Sequence, residues 1–277
     1  MKKCLLSIDW DYFIYTKNDN LGFCSENKKS LIDLWYKRYI QAKARGRDIQ
    51  KEFKLSLEIG TFWNKIRKCF KFVKDIKVYV SDSHALSYKI AKENDCKAVY
   101  LFDAHADLGY GGFSSLNFEV NCSNWLGKLM KEEKIKEANI FYSPYTAEKP
   151  EHFKTMNSIY NIRYYDFNDL GKSINDLNKG INRLNRSADD LDKCISDSDK
   201  DNIRSLDKSI NGLDRYYIAV SAIHICRSGA WTPPWFDNKF FQFINSLGIP
   251  YKMVNCPERK WDTNNISLSD QINYLMA

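Results

Sequence analysis

Short apolar runs that end on acids or histidines punctuate this chain. Residues 4–8 lead into Asp9 and Asp11, residues 76–80 into Ser81-Asp82-Ser83-His84, and residues 98–102 into Asp103, His105 and Asp107. Residues 4–8 read as a buried strand and 76–80 as a short alternating one, while the continuous run 98–102 suits an internal parallel strand. Between them lie segments with apolar residues at helical spacing. These are 27–45 (Leu31, Leu34, Trp35, Ile40), 58–74 (Ile59, Phe62, Trp63, Ile66, Phe70, Val73), 86–93 and 125–133. Further strands are predicted at 138–142, 162–165, 216–225 and 250–254, with a helix at 238–247. Strands alternating with helices predict a three-layer α/β fold, its central sheet mostly parallel and covered by helices on both faces. In that architecture sites gather at the carboxyl ends of the strands, and each acid–histidine cluster falls at such an end.

With 277 residues, 44% of them hydrophobic, the chain can build one such domain, predicted to span 1–277. One stretch, 172–214, has a different texture. Ile174, Leu177, Ile181, Leu184, Ala188, Leu191 and Ile195 follow heptad-like spacing in a background rich in Asn, Asp, Lys and Ser, and Leu206, Ile210 and Leu213 continue it. The pattern predicts a helical insertion, either two ordinary surface helices or an element for homo-oligomerisation or partner docking. No apolar run approaches the roughly 18 residues of a membrane span, and the stretch after Met1-Lys2-Lys3 is too short for a signal peptide. The eight cysteines form no Cys-x-x-Cys pair. A cytoplasmic protein with reduced thiols is the resulting expectation. The net charge of +7 is dispersed over the chain, which predicts no nucleic-acid binding.

The clusters carry the chemistry. Asp9 and Asp11 are two apart, as are Asp103, His105 and Asp107, so on an extended backbone each set shares one face. Carboxylates combined with imidazoles suit Mn²⁺, Fe²⁺ or Zn²⁺. Asp9, Asp11, His84, Asp103, His105 and Asp107 together suffice for two divalent ions bridged by carboxylates, a centre that activates water toward an electrophilic carbon. Taken singly, each motif also reads as a turn or helix cap at a strand end.

The segment Phe102-Asp103-Ala104-His105-Ala106-Asp107 resembles the D-A-H-x-D signature of the arginase/ureohydrolase superfamily. Ser81-Asp82-Ser83-His84-Ala85-Leu86 is similar to its histidine-ligand segment, and Ser7-Ile8-Asp9-Trp10-Asp11 to its S-x-D-x-D strand. That strand lies late in ordinary arginases. Here it opens the chain, while the late strand Val220-Ser221-Ala222-Ile223-His224-Ile225 carries neither aspartate. The displaced layout, with residues 226–235, looks like the peptide arginases, which convert arginine side chains of precursor peptides to ornithine and release urea. The resemblance covers roughly 4–13, 78–127 and 216–236. It implies two divalent ions, manganese by family habit, and an arginine-containing peptide as substrate. By position, His84 and Asp107 go to one ion and His105 to the other, Asp103 and Asp9 are shared, and Asp11 completes the oxygens.

Cys122-Ser123-Asn124-Trp125-Leu126-Gly127 is similar to the family's S-G-N-L-H-G loop. Asn124 matches as a substrate-binding residue, and Leu126 stands where the family carries its proton-transfer histidine. Asp107 and Glu258 are the candidate catalytic carboxylates. A guanidinium also needs a carboxylate partner, for which Glu119, Glu258 and Asp237 are candidates. Trp231 and Trp235 either stack on substrate or pack locally, and Arg227 either binds a substrate carboxylate or carbonyl or forms a structural salt bridge. His224 reads as a core histidine and His152 as a surface one. Two other functions compete with peptidyl-arginine hydrolysis: hydrolysis of a different C–N bond, and a non-catalytic metal-binding peptide-interaction protein.

Overall fold

The computed structural model describes residues 3–16, 31–167, 170 and 218–276. The predicted insertion at 172–214 lies outside the described residues. Seven strands, all parallel to their neighbours, form the central sheet: β1 (Lys3–Asp9), β4 (Phe70–Ser81), β5 (Ala98–Asp103), β6 (Glu137–Tyr142), β7 (Ile162–Tyr165), β8 (Ile218–Cys226) and β9 (Lys252–Val254). Their spatial order is β7-β6-β5-β1-β8-β4-β9. Two short strands, β2 (Ile14–Thr16) and β3 (Phe53–Leu55), pair antiparallel beside it.

The sheet is covered on both faces, as the continuous apolar runs require. Alternate residues of β1 and β5 point to opposite sides: Leu6, Ile8, Tyr100 and Phe102 join one apolar cluster, Leu5, Val99 and Leu101 the other. The first cluster is closed by α3 (Phe62–Cys69) through Phe62, Trp63 and Ile66, and by α7 (Asp237–Ser246) through Phe240, Phe243 and Ile244. The second is closed by α4 (Leu86–Glu93), α5 (Trp125–Lys131) and α6 (Lys154–Ile159), which contribute Ile90, Leu126, Leu129 and Met156. Three layers result, as predicted. Among the described residues no helix is long and apolar enough to cross a membrane.

Some elements differ from the sequence reading. The helix predicted over 58–74 is confined to α3, and Phe70 already begins β4. The cause is visible in residues 70–80, where Phe70, Phe72, Val78 and Val80 alternate with other residues at a period of two. The register of β4 against β8 shifts between Phe72 and Lys77, so the strand is irregular where its pattern is weakest. A terminal helix, α8 (Leu268–Met276), was not anticipated; it lies against α1 (Leu31–Ala44), with the rings of Tyr274 and Tyr36 stacked at 4.5 Å. A single-turn helix, α2 (Ile49–Glu52), completes the set.

Candidate metal centre

β1 lies between β5 and β8, with β4 on the far side of β8, so four strand ends converge at the middle of the sheet. Asp9 is the last residue of β1, Asp103 the last of β5, His84 follows β4 by three residues and Ser228 follows β8 by two. Neither aspartate pair is extended, contrary to the sequence expectation. Asp9 caps a one-turn 3₁₀ helix, its Oδ1 accepting from the Asp11 amide at 3.1 Å. Asp103 Oδ1 likewise accepts from the His105 amide at 2.8 Å. Aspartate side chains favour such tight turns over continued strand, and the turns bring the carboxylates together from different directions.

Asp107 sits in the left-handed region, with φ +51°. Its carbonyl accepts from the amides of Leu126 and Gly127 at the start of α5. A Cβ on Gly127 would lie 2.4 Å from the Leu108 carbonyl oxygen, so only glycine lets α5 press this closely on the aspartate loop.

Three carboxylates crowd one imidazole nitrogen. His84 Nδ1 is 2.9 Å from Asp103 Oδ2, 2.9 Å from Asp107 Oδ2 and 3.3 Å from Asp9 Oδ2. All four side chains are buried. On the other side of Asp103, His105 Nδ1 is 3.1 Å from Asp11 Oδ2 and 3.5 Å from Asp103 Oδ1. Asp9 Oδ2 accepts a hydrogen bond from Ser228 Oγ, Asp107 Oδ2 accepts from Trp125 Nε1 at 2.5 Å, and Asp11 Oδ1 accepts from the Ala104 amide at 3.3 Å. These bonds hold each carboxylate in one orientation.

This donor set fits divalent cations. An imidazole nitrogen offers one proton or one lone pair, so it cannot satisfy three carboxylates, and neither His84 Nδ1 nor Asp103 Oδ2 has a hydrogen-bond partner of acceptable geometry. Buried lone-pair atoms that converge on one point without enough protons to pair them are what a ligand shell looks like around an ion's position. Two such shells are present: Asp9, His84 and Asp103, and Asp11, Asp103 and His105. Each can chelate a divalent ion, and Asp103 belongs to both.

The electrostatics agree. Burial, reinforced by the Asp11 charge, pushes the Asp9 carboxyl up to about 6. Burial, then Asp11, Asp107 and Asp9, hold the Asp103 carboxyl well above the usual carboxylate range. For Asp11 burial is outweighed by His105, and its pKa is lowered. Burial is likewise outweighed at both histidines, which their carboxylate neighbours hold well above the ordinary imidazole value. Without metal, then, the cluster retains protons. A raised imidazole pKa gives stability that is complete below the unfolded value and lost as pH rises through the folded one. The raised Asp9 pKa favours the metal-free fold similarly as pH falls from about 6 toward 3.8. Metal must displace these protons. Divalent-ion affinity is therefore expected to rise from pH 6 to pH 8, with proton release seen by calorimetry in buffers of different ionisation enthalpy. Affinity independent of pH would contradict this protonation scheme.

The other predicted residues are distributed unevenly. Trp231 is half-buried at the cluster's rim, its ring centroid 6.1 Å from that of His105. Trp235 packs among Trp35, Phe53 and Trp261. Asn124 is buried with both ends of its amide engaged within its own loop: Nδ2 donates to the carbonyls of Ser115 and Glu119, and Oδ1 accepts from the Asn121 amide. The Glu119 and Glu258 side chains lie on exposed residues. Arg227 is fully buried and grips Asp82 through two bonds, Nε to Oδ1 at 2.5 Å and Nη2 to Oδ2 at 2.6 Å. It also donates to Asp237, which Arg259 holds from the other side. Of the two alternatives for Arg227, the structure has the salt bridge. Leu126 is buried in the apolar cluster behind α5, and His224 is completely buried.

Sequence reasoning missed Glu148. It follows β6 in the loop 143–149, where Oε1 accepts from the Ala106 amide at 2.6 Å and from Tyr142 Oη at 3.1 Å. Burial raises its pKa against the opposing pull of Tyr110 and of the His105 charge. No local motif marks this acid; only the parallel pairing of β5 with β6 brings it to the Asp103–Asp107 loop. Comparisons with family models, curated proteins and solved structures find no match to this chain.

Proposed function

We propose that the chain is a dinuclear metal-dependent hydrolase that removes the guanidinium group of arginine side chains in a peptide, leaving ornithine residues and releasing urea. The observation that carries the metal-dependent part is the position of Asp103 between two His/Asp shells. Asp9, His84, Asp103 and Asp107 would hold one ion and Asp11, Asp103 and His105 the other; the donor set suits Mn²⁺, Fe²⁺ or Zn²⁺, and the resemblance to the ureohydrolases favours manganese. Bound there, a pair of divalent ions supplies a water acidic enough to act as a nucleophile at neutral pH.

The arginine assignment rests on charge and on the motifs. Asp9, Asp11, Asp103 and Asp107 balance two divalent ions, so adding a nucleophilic hydroxide leaves the centre net negative. That balance favours a cationic substrate over a neutral amide. The exposed part of Trp231 beside His105 offers a face on which a planar guanidinium can lie. Glu148, bonded to the Ala106 amide of the Asp103–Asp107 loop, would be the acid for it to pair with.

Incubation with Mn²⁺ and arginine-containing peptides is expected to lower peptide mass by about 42 Da per modified residue, the difference between urea lost and water gained in a metal-assisted hydrolysis. Citrulline-containing peptides are expected to stay unchanged. Hydrolysis of free arginine with every peptide untouched would replace this reading by a small-molecule ureohydrolase.

A further inference from the structure

Behind the metal centre, a chain of buried hydroxyls and one imidazole runs from His84 away from the carboxylates. His84 Nε2 is 2.7 Å from Ser7 Oγ, Ser7 Oγ is 2.7 Å from Ser87 Oγ, and Ser87 Oγ is 2.6 Å from His224 Nδ1. His224 Nε2 is 2.9 Å from Ser81 Oγ, which donates to the Ser83 carbonyl. The fold assembles it directly: Ser7 of β1 and Tyr79 of β4 flank His224 of β8 in register, and α4 delivers Ser87. Ser7, Ser87 and His224 are fully buried.

The proton positions along this chain have one solution. Ser81 has a single hydroxyl proton and gives it to a carbonyl, so toward His224 Nε2 it accepts, and His224 carries its proton on Nε2. The His224 nitrogens meet the hydroxyls of Ser81 and Ser87, and a fully buried ring facing hydroxyls rather than a counter-charge is neutral. Its Nδ1 therefore accepts from Ser87. Ser87 in turn accepts from Ser7, and Ser7 accepts from His84 Nε2. We propose that Ser81, His224, Ser87 and Ser7 form a one-way hydrogen-bond chain that fixes the tautomer and ring orientation of His84, so that its Nδ1 lone pair faces the carboxylates and a divalent ion. These are positioning residues, and the proposal rests on the metal-dependent reading of the site. Orientation of a ligand imidazole through its second nitrogen is a general device for tuning metal affinity. Here the chain is anchored at a backbone carbonyl, whose acceptor role cannot reverse.

With only four histidines in these 277 residues, ¹⁵N NMR of the imidazoles resolves each ring. In the protein loaded with Zn²⁺, a diamagnetic stand-in, His224 is expected to carry its proton on Nε2 and His84 to show a protonated Nε2 with a ligated Nδ1. Mn²⁺ titration should find Ser87→Ala weaker than the unaltered protein by about tenfold or more, with the melting temperatures of the two chelator-treated proteins used to separate folding from binding. A His224 proton on Nδ1, or Mn²⁺ binding by a folded Ser87→Ala protein equal to that of the unaltered one, would overturn the proposal. If Ser87→Ala does not fold, the His224 proton position decides alone. Failure of the unaltered protein to bind any Mn²⁺ is a separate result and removes the metal-dependent reading itself.

Discussion

Asp103→Asn is expected to strip the protein of both divalent ions and to reduce guanidinium hydrolysis at least about a thousandfold, since metal stabilisation of the reacting charge contributes several kcal/mol. The reason is geometric. Asp103 Oδ2 faces His84 in one shell and Oδ1 faces His105 in the other, so a single substitution weakens both. Asparagine keeps the size of the side chain and the Oδ1 acceptor for the His105 amide, but loses the charge. Without metal that charge is unfavourable: the carboxyl is buried and repelled by Asp11, Asp107 and Asp9. The chelated variant is therefore expected to melt no lower than the chelated unaltered protein. Metal content by elemental analysis and melting with chelator read the two effects separately. A variant that kept both ions, or that lost stability even in chelator, would show that Asp103 holds the fold rather than the metals.

Arg227→Ala is expected to destabilise the fold by about 3–5 kcal/mol, because truncating one partner leaves the buried Asp82 carboxylate without its counter-charge. In a domain of this size that corresponds to a fall in melting temperature on the order of 10 °C. Lysine should not rescue it. The guanidinium meets both Asp82 oxygens while also reaching Asp237 and the Pro257 carbonyl, a fork that a point-charge ammonium cannot reproduce. Denaturation of the variants measures this directly. If Arg227 instead bound substrate, the variant would raise KM with stability intact, and the structural role would be excluded.

The fold was legible because a central strand buried on both faces writes itself as an apolar run, as at residues 98–102, and the outer strands follow it at regular spacing between helical segments. The terminal helix α8 was not legible, since Leu268, Ile272 and Met276 are exposed and its pattern follows packing on α1 rather than burial in a core. The acids and histidines of the centre stood out because they cluster just beyond strand ends in short motifs. Their backbone shape did not: a period of two suggested extended segments, while side-chain bonds from Asp9 and Asp103 to the backbone two residues on make turns. Partners that arrive from elsewhere in the chain were invisible. Glu148 comes from a segment without a motif, and the roles of Ser228, Ser87 and His224 at the centre follow only from strand order and register. Likewise the sequence left Arg227 open between substrate and a salt bridge and offered Asp237 as a guanidinium partner; in the fold Asp82 and Arg259 pair with them.

The most direct measurement is the divalent-ion content of the protein purified without chelators. Close to two ions per folded chain are expected, released as falling pH lets protons compete for the carboxylates and imidazoles that hold them. A folded chain that carries no divalent ion, and takes up none from millimolar Mn²⁺ at pH 8, would contradict that expectation.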